Sequence, residues 1–205
     1  MRLILGIDFD NTLVSYDDVM HSSAVRLGLI DKDVPRSKQN IRDEIRHLPD
    51  GEMKWCKFQA FVYGECMNEA RLMEGAKDFI ELSKKRGIQV FIVSHKTKFA
   101  AADKKGIDLR QVALGWMNTH GFFDDEGLGL SPQDVYFEMT RKEKVERIKE
   151  LGCTHFIDDL KEVFLEKTFP EGVEKILFAP QEDCHTSGDM KVFTSWGRIY
   201  EYFFR

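Results

Sequence analysis

Two aspartates two residues apart, Asp8 and Asp10, stand directly after the apolar run Leu3-Ile4-Leu5-Gly6-Ile7, and Thr12 follows two residues later. A short apolar run that ends in polar residues reads as a buried strand. Side chains at i and i+2 share a face of a strand, but where the strand gives way to a turn they can part and serve one small site in different roles. Carboxylates so placed bind a cation or move protons. An Asp-x-Asp-x-Thr string arises by chance in roughly 3% of chains this long, taking about 5% usage of each type, so its weight depends on partners elsewhere.

Three partners stand at comparable positions. The apolar run 88–93 ends in Ser94, and the run 155–157 ends in Asp158-Asp159. A cation comes from Lys142 or Lys144, in the first turns of a helix that Thr140-Arg141-Lys142-Glu143 opens as a capping box. Lys142 is nearer the helix N-terminus, where a phosphate rests naturally. Four ionised aspartates against one lysine cannot share a small site without further compensation. An oxygen-rich donor set of this kind suits Mg²⁺, and a phosphate substrate would add to the need for it.

These residues need a scaffold that brings strand ends together. Apolar runs at 3–7, 88–93, 135–137, 155–157 and 175–178 read as about five strands, and helical patterns closing on Gly87, Gly121 and Gly152 lie between most of them. Alternating strands and helices give a parallel sheet covered on both faces. In such sheets ligands bind beyond the carboxyl ends of the strands, where strand order reverses. Residues 16–73 break the rhythm with helix-like stretches at 17–27, 37–47 and 52–69, too long for an ordinary connection. They read as a small helical domain inserted into a core of residues 1–15 and 74–205.

Together, these segments resemble the four motifs of the haloacid dehalogenase superfamily, most of whose members are phosphohydrolases. Asp8-Phe9-Asp10-Asn11-Thr12 is similar to its first motif, Phe91-Ile92-Val93-Ser94 to its second, the lysine near 144 to its third, and Phe156-Ile157-Asp158-Asp159 to its fourth. The resemblance implies an α/β fold: a Rossmann-like three-layer core plus a small all-helical cap inserted between motifs one and two. It implies Asp8 as nucleophile and Asp10 as acid/base, with Thr12 steadying the loop and Thr12, Ser94 and Lys144 on the substrate phosphate. The Arg-x-x-Lys run 141–144 is similar to that of deoxyribonucleotidase-like members and favours Lys144, with Lys142 as the alternative. For Mg²⁺ the resemblance implies Asp8, Asp10 through its carbonyl, and Asp159 directly, with Asp158 acting through water; the last two could exchange. The implied reaction is hydrolysis of a small soluble phosphomonoester through an aspartyl-phosphate. Residues 175–180 and Ser195-Trp196 are also similar to deoxyribonucleotidase-like tails, which points to a nucleotide; a sugar phosphate fits equally.

Composition narrows the alternatives. A net charge of -5 argues against a nucleic-acid or anionic-membrane surface. No apolar stretch reaches the length of a transmembrane span, and no signal peptide is evident, so the cytoplasm is the expected location. The cysteines Cys56, Cys66, Cys153 and Cys184 form no Cys-x-x-Cys pair, and neither Cys153 with His155 nor Cys184 with His185 has structural zinc spacing. An Asp-x-Asp glycosyltransferase-like protein and a non-hydrolytic metal- and nucleotide-binding module are the competing readings; the first leaves Ser94 and Asp158-Asp159 without a role. His95 and Lys96, next to Ser94, could touch substrate or simply belong to a surface loop.

Overall fold

The computed structural model describes residues 2–102, 105–180 and 188–205; Cys184 and His185 lie outside the described residues. In chain order the elements are β1 (Ile4–Ile7), β2 (Val14–Ser15), α1 (Asp17–Arg26), α2 (Lys38–His47), α3 (Gly51–Glu65), β3 (Arg71–Leu72), α4 (Ala76–Lys85), β4 (Gln89–His95), α5 (Leu109–Thr119), β5 (Val135–Glu138), α6 (Arg141–Glu150), β6 (His155–Asp158), α7 (Lys161–Phe164), β7 (Glu174–Phe178), β8 (Met190–Phe193) and α8 (Trp196–Phe204). No described helix is long and apolar enough to cross a membrane.

Six strands form one sheet in the order β5-β4-β1-β6-β7-β8, every neighbouring pair parallel. The chain runs outward from β1 through β4 to β5, then returns to the other side of β1 for β6, β7 and β8. Strand order therefore reverses at β1, which makes its carboxyl end the switch point of the sheet. The sixth strand, β8, exceeds the five runs legible in the sequence. Met190-Lys191-Val192-Phe193 interrupts its apolar residues with a lysine, as an edge strand can and a central one rarely does.

Side-chain alternation assigns the two faces of the sheet. Val93, Phe156 and Leu177 pack with Val145 and Ile148 of α6 and with Val163 and Phe164 of α7. Gly6 faces the same way: a Cβ there would come within 2.5 Å of a Phe156 ring carbon and 3.0 Å of the Cys153 sulfur. By the two-residue period, Asp8 and Asp158 follow Gly6 and Phe156 onto the α6 side. In the helical layer of α4 and α8, Phe79 contacts the rings of Trp196 and Phe203, and Trp196 contacts Phe178.

The chain divides into two compact units: Met1–Val14, Leu72–Thr97 and Met117–Arg205 in one, Ser15–Arg71 and Lys98–Trp116 in the other. β2 and β3 pair where the chain leaves the first unit and returns to it. The second unit is helical, its α2 burying Ile41 and Ile45 and its α3 burying Trp55, Phe58 and Val62. It includes Lys98–Trp116, a stretch whose place between two strands suggests a crossover packed on the sheet. Its contacts explain the difference: Trp116 donates its indole N–H to the Ala70 carbonyl at 3.1 Å, and Gly64 leaves room for the Ile107 side chain. Periodicity shows that a helix has an apolar face, not which partner covers it.

Candidate active site

Every motif residue falls in the sheet unit. The Asp8 amide donates to the Ile157 carbonyl at 2.9 Å, extending the β1–β6 ladder one residue past β1. The chain then turns sharply. Leu13 and Val14 donate to the Phe9 carbonyl, Asn11 donates to the Val14 carbonyl, and Asn11 takes a φ of 61°, a left-handed conformation that asparagine tolerates better than most side chains. Phe9 is wholly buried, anchoring the turn between the two acids. The Trp196 indole donates to the Thr12 carbonyl at 2.9 Å, tying α8 to the same turn.

Lys144 lies at the centre of the site. Its ammonium is 2.5 Å from Asp8 Oδ1 and 2.6 Å from Asp158 Oδ2, and all three side chains are buried. The cause is visible in α6, where Lys144 precedes Ile148 by four residues and Leu151 by seven, so it shares the stripe that faces the sheet. Lys142 is 70% exposed and pairs with Glu146 at 3.9 Å. Burial works against the Lys144 charge, but the carboxylates of Asp158 and Asp8 outweigh it and raise its pKa. Burial, joined by the charge of Asp8 and opposed by Lys144, pushes Asp158 up to about 7. We take the lysine to be charged throughout.

Asp10 is partnered separately. Its Oδ2 lies 2.6 Å from the ammonium of Lys96, a side chain only 4% exposed. From sequence alone, Lys96 fits a site residue and a surface-loop residue equally. The available signal is its spacing: two residues after Ser94 it continues the alternation of β4, and its amide donates to the Glu138 carbonyl at 2.9 Å, prolonging the β4–β5 ladder. Ser94 is buried at the end of β4, the strand beside β1. His95 is exposed, with Nε2 2.9 Å from the Met139 carbonyl.

Thr12 connects the first motif to the fourth. Its hydroxyl accepts from the Asp159 amide at 3.1 Å and lies 3.5 Å from Asp159 Oδ1 as donor. Asp8, Asp158 and Asp159 each offer a carboxylate oxygen within 4.8 Å of the others, close to the roughly 3–4 Å that separates ligands on one Mg²⁺. Asp158 Oδ1 accepts from the Leu160 amide at 2.9 Å. Its Oδ2 is buried and faces the Lys144 ammonium at 2.6 Å; a carboxylate oxygen carries more than one lone pair. The donors are all hard oxygens. The site fits a small divalent ion, and Mg²⁺ better than a soft metal.

Four carboxylates against two buried ammoniums leave this site at -2 when all are ionised, the charge that one divalent cation cancels. Among the described residues no thiol joins this cluster. Burial pushes the Cys153 thiol up to about 12, and His155 engages Thr154 through Nδ1 and lies near Glu174 through Nε2.

No protein-family model matches the chain, and no curated protein matches it. Solved structures do. A haloacid dehalogenase-like hydrolase of Streptococcus pneumoniae superposes with a TM-score of 0.57 at 16% identity, covering 98% of each chain. A predicted phosphoglycolate phosphatase of Haemophilus somnus gives 0.56 at 13% identity, again over 98% of each chain. The chain has the haloacid dehalogenase fold. The HAD-hydrolase YfnB of Bacillus subtilis, solved bound to magnesium, shares this fold over 100% of both chains, with a TM-score of 0.54 at 14% identity. Identities this low speak for the fold alone. In this fold, Asp8, Asp10, Ser94, Lys96, Lys144, Asp158 and Asp159 occupy or directly follow the C-terminal ends of β1, β4 and β6 and the start of α6.

Proposed function

We propose that the protein is a Mg²⁺-dependent phosphatase that hydrolyses a small soluble phosphomonoester through an aspartyl-phosphate. The observation that carries this reading is the Lys144 ammonium between Asp8 and Asp158 at the switch point of the sheet. Burying a lysine against two acids is costly for a merely structural purpose, and it equips the nucleophile with the positive charge that a phosphoryl group requires. The magnesium-bound and phosphatase-named proteins of the same fold support the reading.

The steps assigned to this chain are as follows. A carboxylate oxygen of Asp8 attacks phosphorus, forming an acyl-phosphate bond as the bond to the ester oxygen breaks. Asp10 gives its proton to that departing oxygen. It then takes a proton from water, which attacks phosphorus and releases phosphate from Asp8. Ser94 donates a hydrogen bond to the phosphoryl oxygens, and Lys144 offsets the charge spread over them. Thr12 holds the Asp159 backbone and carboxylate. Asp8, Asp159 and Asp158, with the Asp10 carbonyl, would hold Mg²⁺, which supplies electrophilic polarisation of the phosphoryl group when bound.

The substrate class is a nucleotide or a sugar phosphate. We assign leaving-group selection to the inserted helical segment, residues 16–73, as a cap, and the protein to the cytoplasm. Hydrolysis of an aryl phosphate with Mg²⁺, compared between wild type and Asp8→Asn, tests the chemistry: activity should vanish in the variant. Hydrolysis that persists unchanged without the Asp8 carboxylate would overturn the mechanism. A panel of phosphorylated metabolites read by free phosphate then ranks substrates.

A further inference from the structure

The geometry points to Lys96 as a positioning residue for proton transfer, fixing the carboxyl of Asp10 against the leaving oxygen. This rests on the phosphatase reading above. Three observations carry it. The Lys96 ammonium is 2.6 Å from Asp10 Oδ2, and the side chain is 4% exposed, so a charge held out of water meets the acid/base directly. Its backbone is locked to β5 through the bond from its amide to Glu138, and its ammonium lies 5.8 Å from the centre of the Phe9 ring, the residue that separates the two acids. Asp10 itself lies on a turn with a left-handed residue beside it, where the backbone alone leaves the carboxylate torsions undetermined.

Lys144 and Lys96 thus divide the work. The former accompanies Asp8 and Asp158, where phosphorus reacts; the latter accompanies Asp10, where the proton moves. An oriented proton donor matters in proportion to the basicity of the leaving group. A dinitrophenolate departs as an anion without a proton, whereas an alkoxide does not. A direct phosphate ligand would instead affect every ester alike, because the phosphoryl group is common to all of them.

Lys96→Met and Lys96→Arg are therefore compared with wild type on dinitrophenyl, nitrophenyl, phenyl and alkyl phosphates with Mg²⁺. For Lys96→Met, kcat/KM on the alkyl ester should fall about 10- to 100-fold, the range for a misplaced proton donor, and the fall on the dinitrophenyl ester should be at least tenfold smaller. Because Asp10 also activates water in the second half-reaction, the variant should release a stoichiometric burst of dinitrophenolate followed by slow turnover. Lys96→Arg, which keeps a cation near Asp10, should show the same trend at lower amplitude. It provides the reading if the methionine variant does not fold, as judged by circular dichroism. A loss of kcat/KM equal across the series, with weakened inhibition by inorganic phosphate, would make Lys96 a phosphate ligand and overturn the inference. Unchanged kinetics would overturn it too. The Asp8→Asn control separates the two readings: a wild type inactive on all esters, or activity that survives Asp8→Asn, removes the phosphatase itself.

Discussion

Replacing Lys144 with methionine removes one charge on which two buried carboxylates depend. Methionine nearly matches the lysine stem in volume, so the cost is electrostatic rather than a cavity. Lys144 and Asp158 are 1% and 0% exposed, and Asp8 is 6%. Breaking a buried ion pair by removing one partner costs about 3–5 kcal/mol, a large share of the roughly 5–15 kcal/mol that keeps a domain folded. For a chain of this size that corresponds to a fall in Tm of about 6–20 °C. The matching control is Lys142→Met, where an exposed pair at 3.9 Å contributes at most about 0.5 kcal/mol. Melting followed by circular dichroism in the presence of a chelator measures both variants. Adding Mg²⁺ should recover part of the Lys144→Met loss, since a cation among Asp8, Asp158 and Asp159 supplies the missing charge. On aryl phosphate, Lys144→Met should lose about 10²- to 10³-fold in kcat/KM. A Lys144→Met protein melting within about 2 °C of wild type, or a Lys142→Met protein falling equally far, would refute the argument.

Further outcomes follow from the same contacts. Trp196→Phe keeps an aromatic ring against Phe79 and Phe178 but leaves the Thr12 carbonyl without its donor, which should cost about 1–3 kcal/mol; urea titration measures it, and an unaltered midpoint would show that the bond contributes nothing. Gly6→Ala drives a methyl into the Phe156 ring and should destabilise by about 1–3 kcal/mol, with partial recovery in Gly6→Ala/Phe156→Leu. Burial, aided by Lys191 and opposed by Glu174, holds the His155 pKa below its ordinary value. Below about pH 6.5 the unfolded chain therefore takes up a proton before the folded one does, and stability falls. The stability of wild type relative to His155→Phe should decline as pH drops through that value and stay level above it; a difference constant across the range would exclude the linkage.

How far the site was legible depends on what each residue type announces. Asp8, Asp10 and Asp158-Asp159 each follow an apolar run, and the end of a run marks the end of a strand, so their convergence could be inferred before any coordinates. Lys142 and Lys144 differ in helix phase: only Lys144 shares the Ile148–Leu151 stripe, and it is Lys144 that is buried against Asp8 and Asp158 while Lys142 is exposed. Lys96 was harder, because a lysine after a strand looks like any solvated loop residue until its burial is known. The helix around Trp116 is periodic in the ordinary way, and periodicity carries no information about which neighbour covers the apolar face. β8 lies at the edge of the sheet, where a lysine is tolerated and the apolar signal thins.

The hydrogen bond from Trp196 to Thr12 spans 184 positions of sequence, and the Lys144 bridge to Asp8 spans 136. During synthesis Asp8 is made well before the Lys144 ammonium that partners it and the Trp196 indole that tethers its turn. Non-local contacts of this kind form late, because closing long loops precedes any gain from them. Until they form, the Asp8 turn lacks the Lys144 charge and the Trp196 tether. On the phosphatase proposed above, the growing chain therefore carries Asp8 without the surroundings that would make it reactive, and competence should arrive abruptly as α8 docks. Released nascent chains ending before Trp196 should accordingly show little phosphate-ester hydrolysis even where the sheet through β7 is complete.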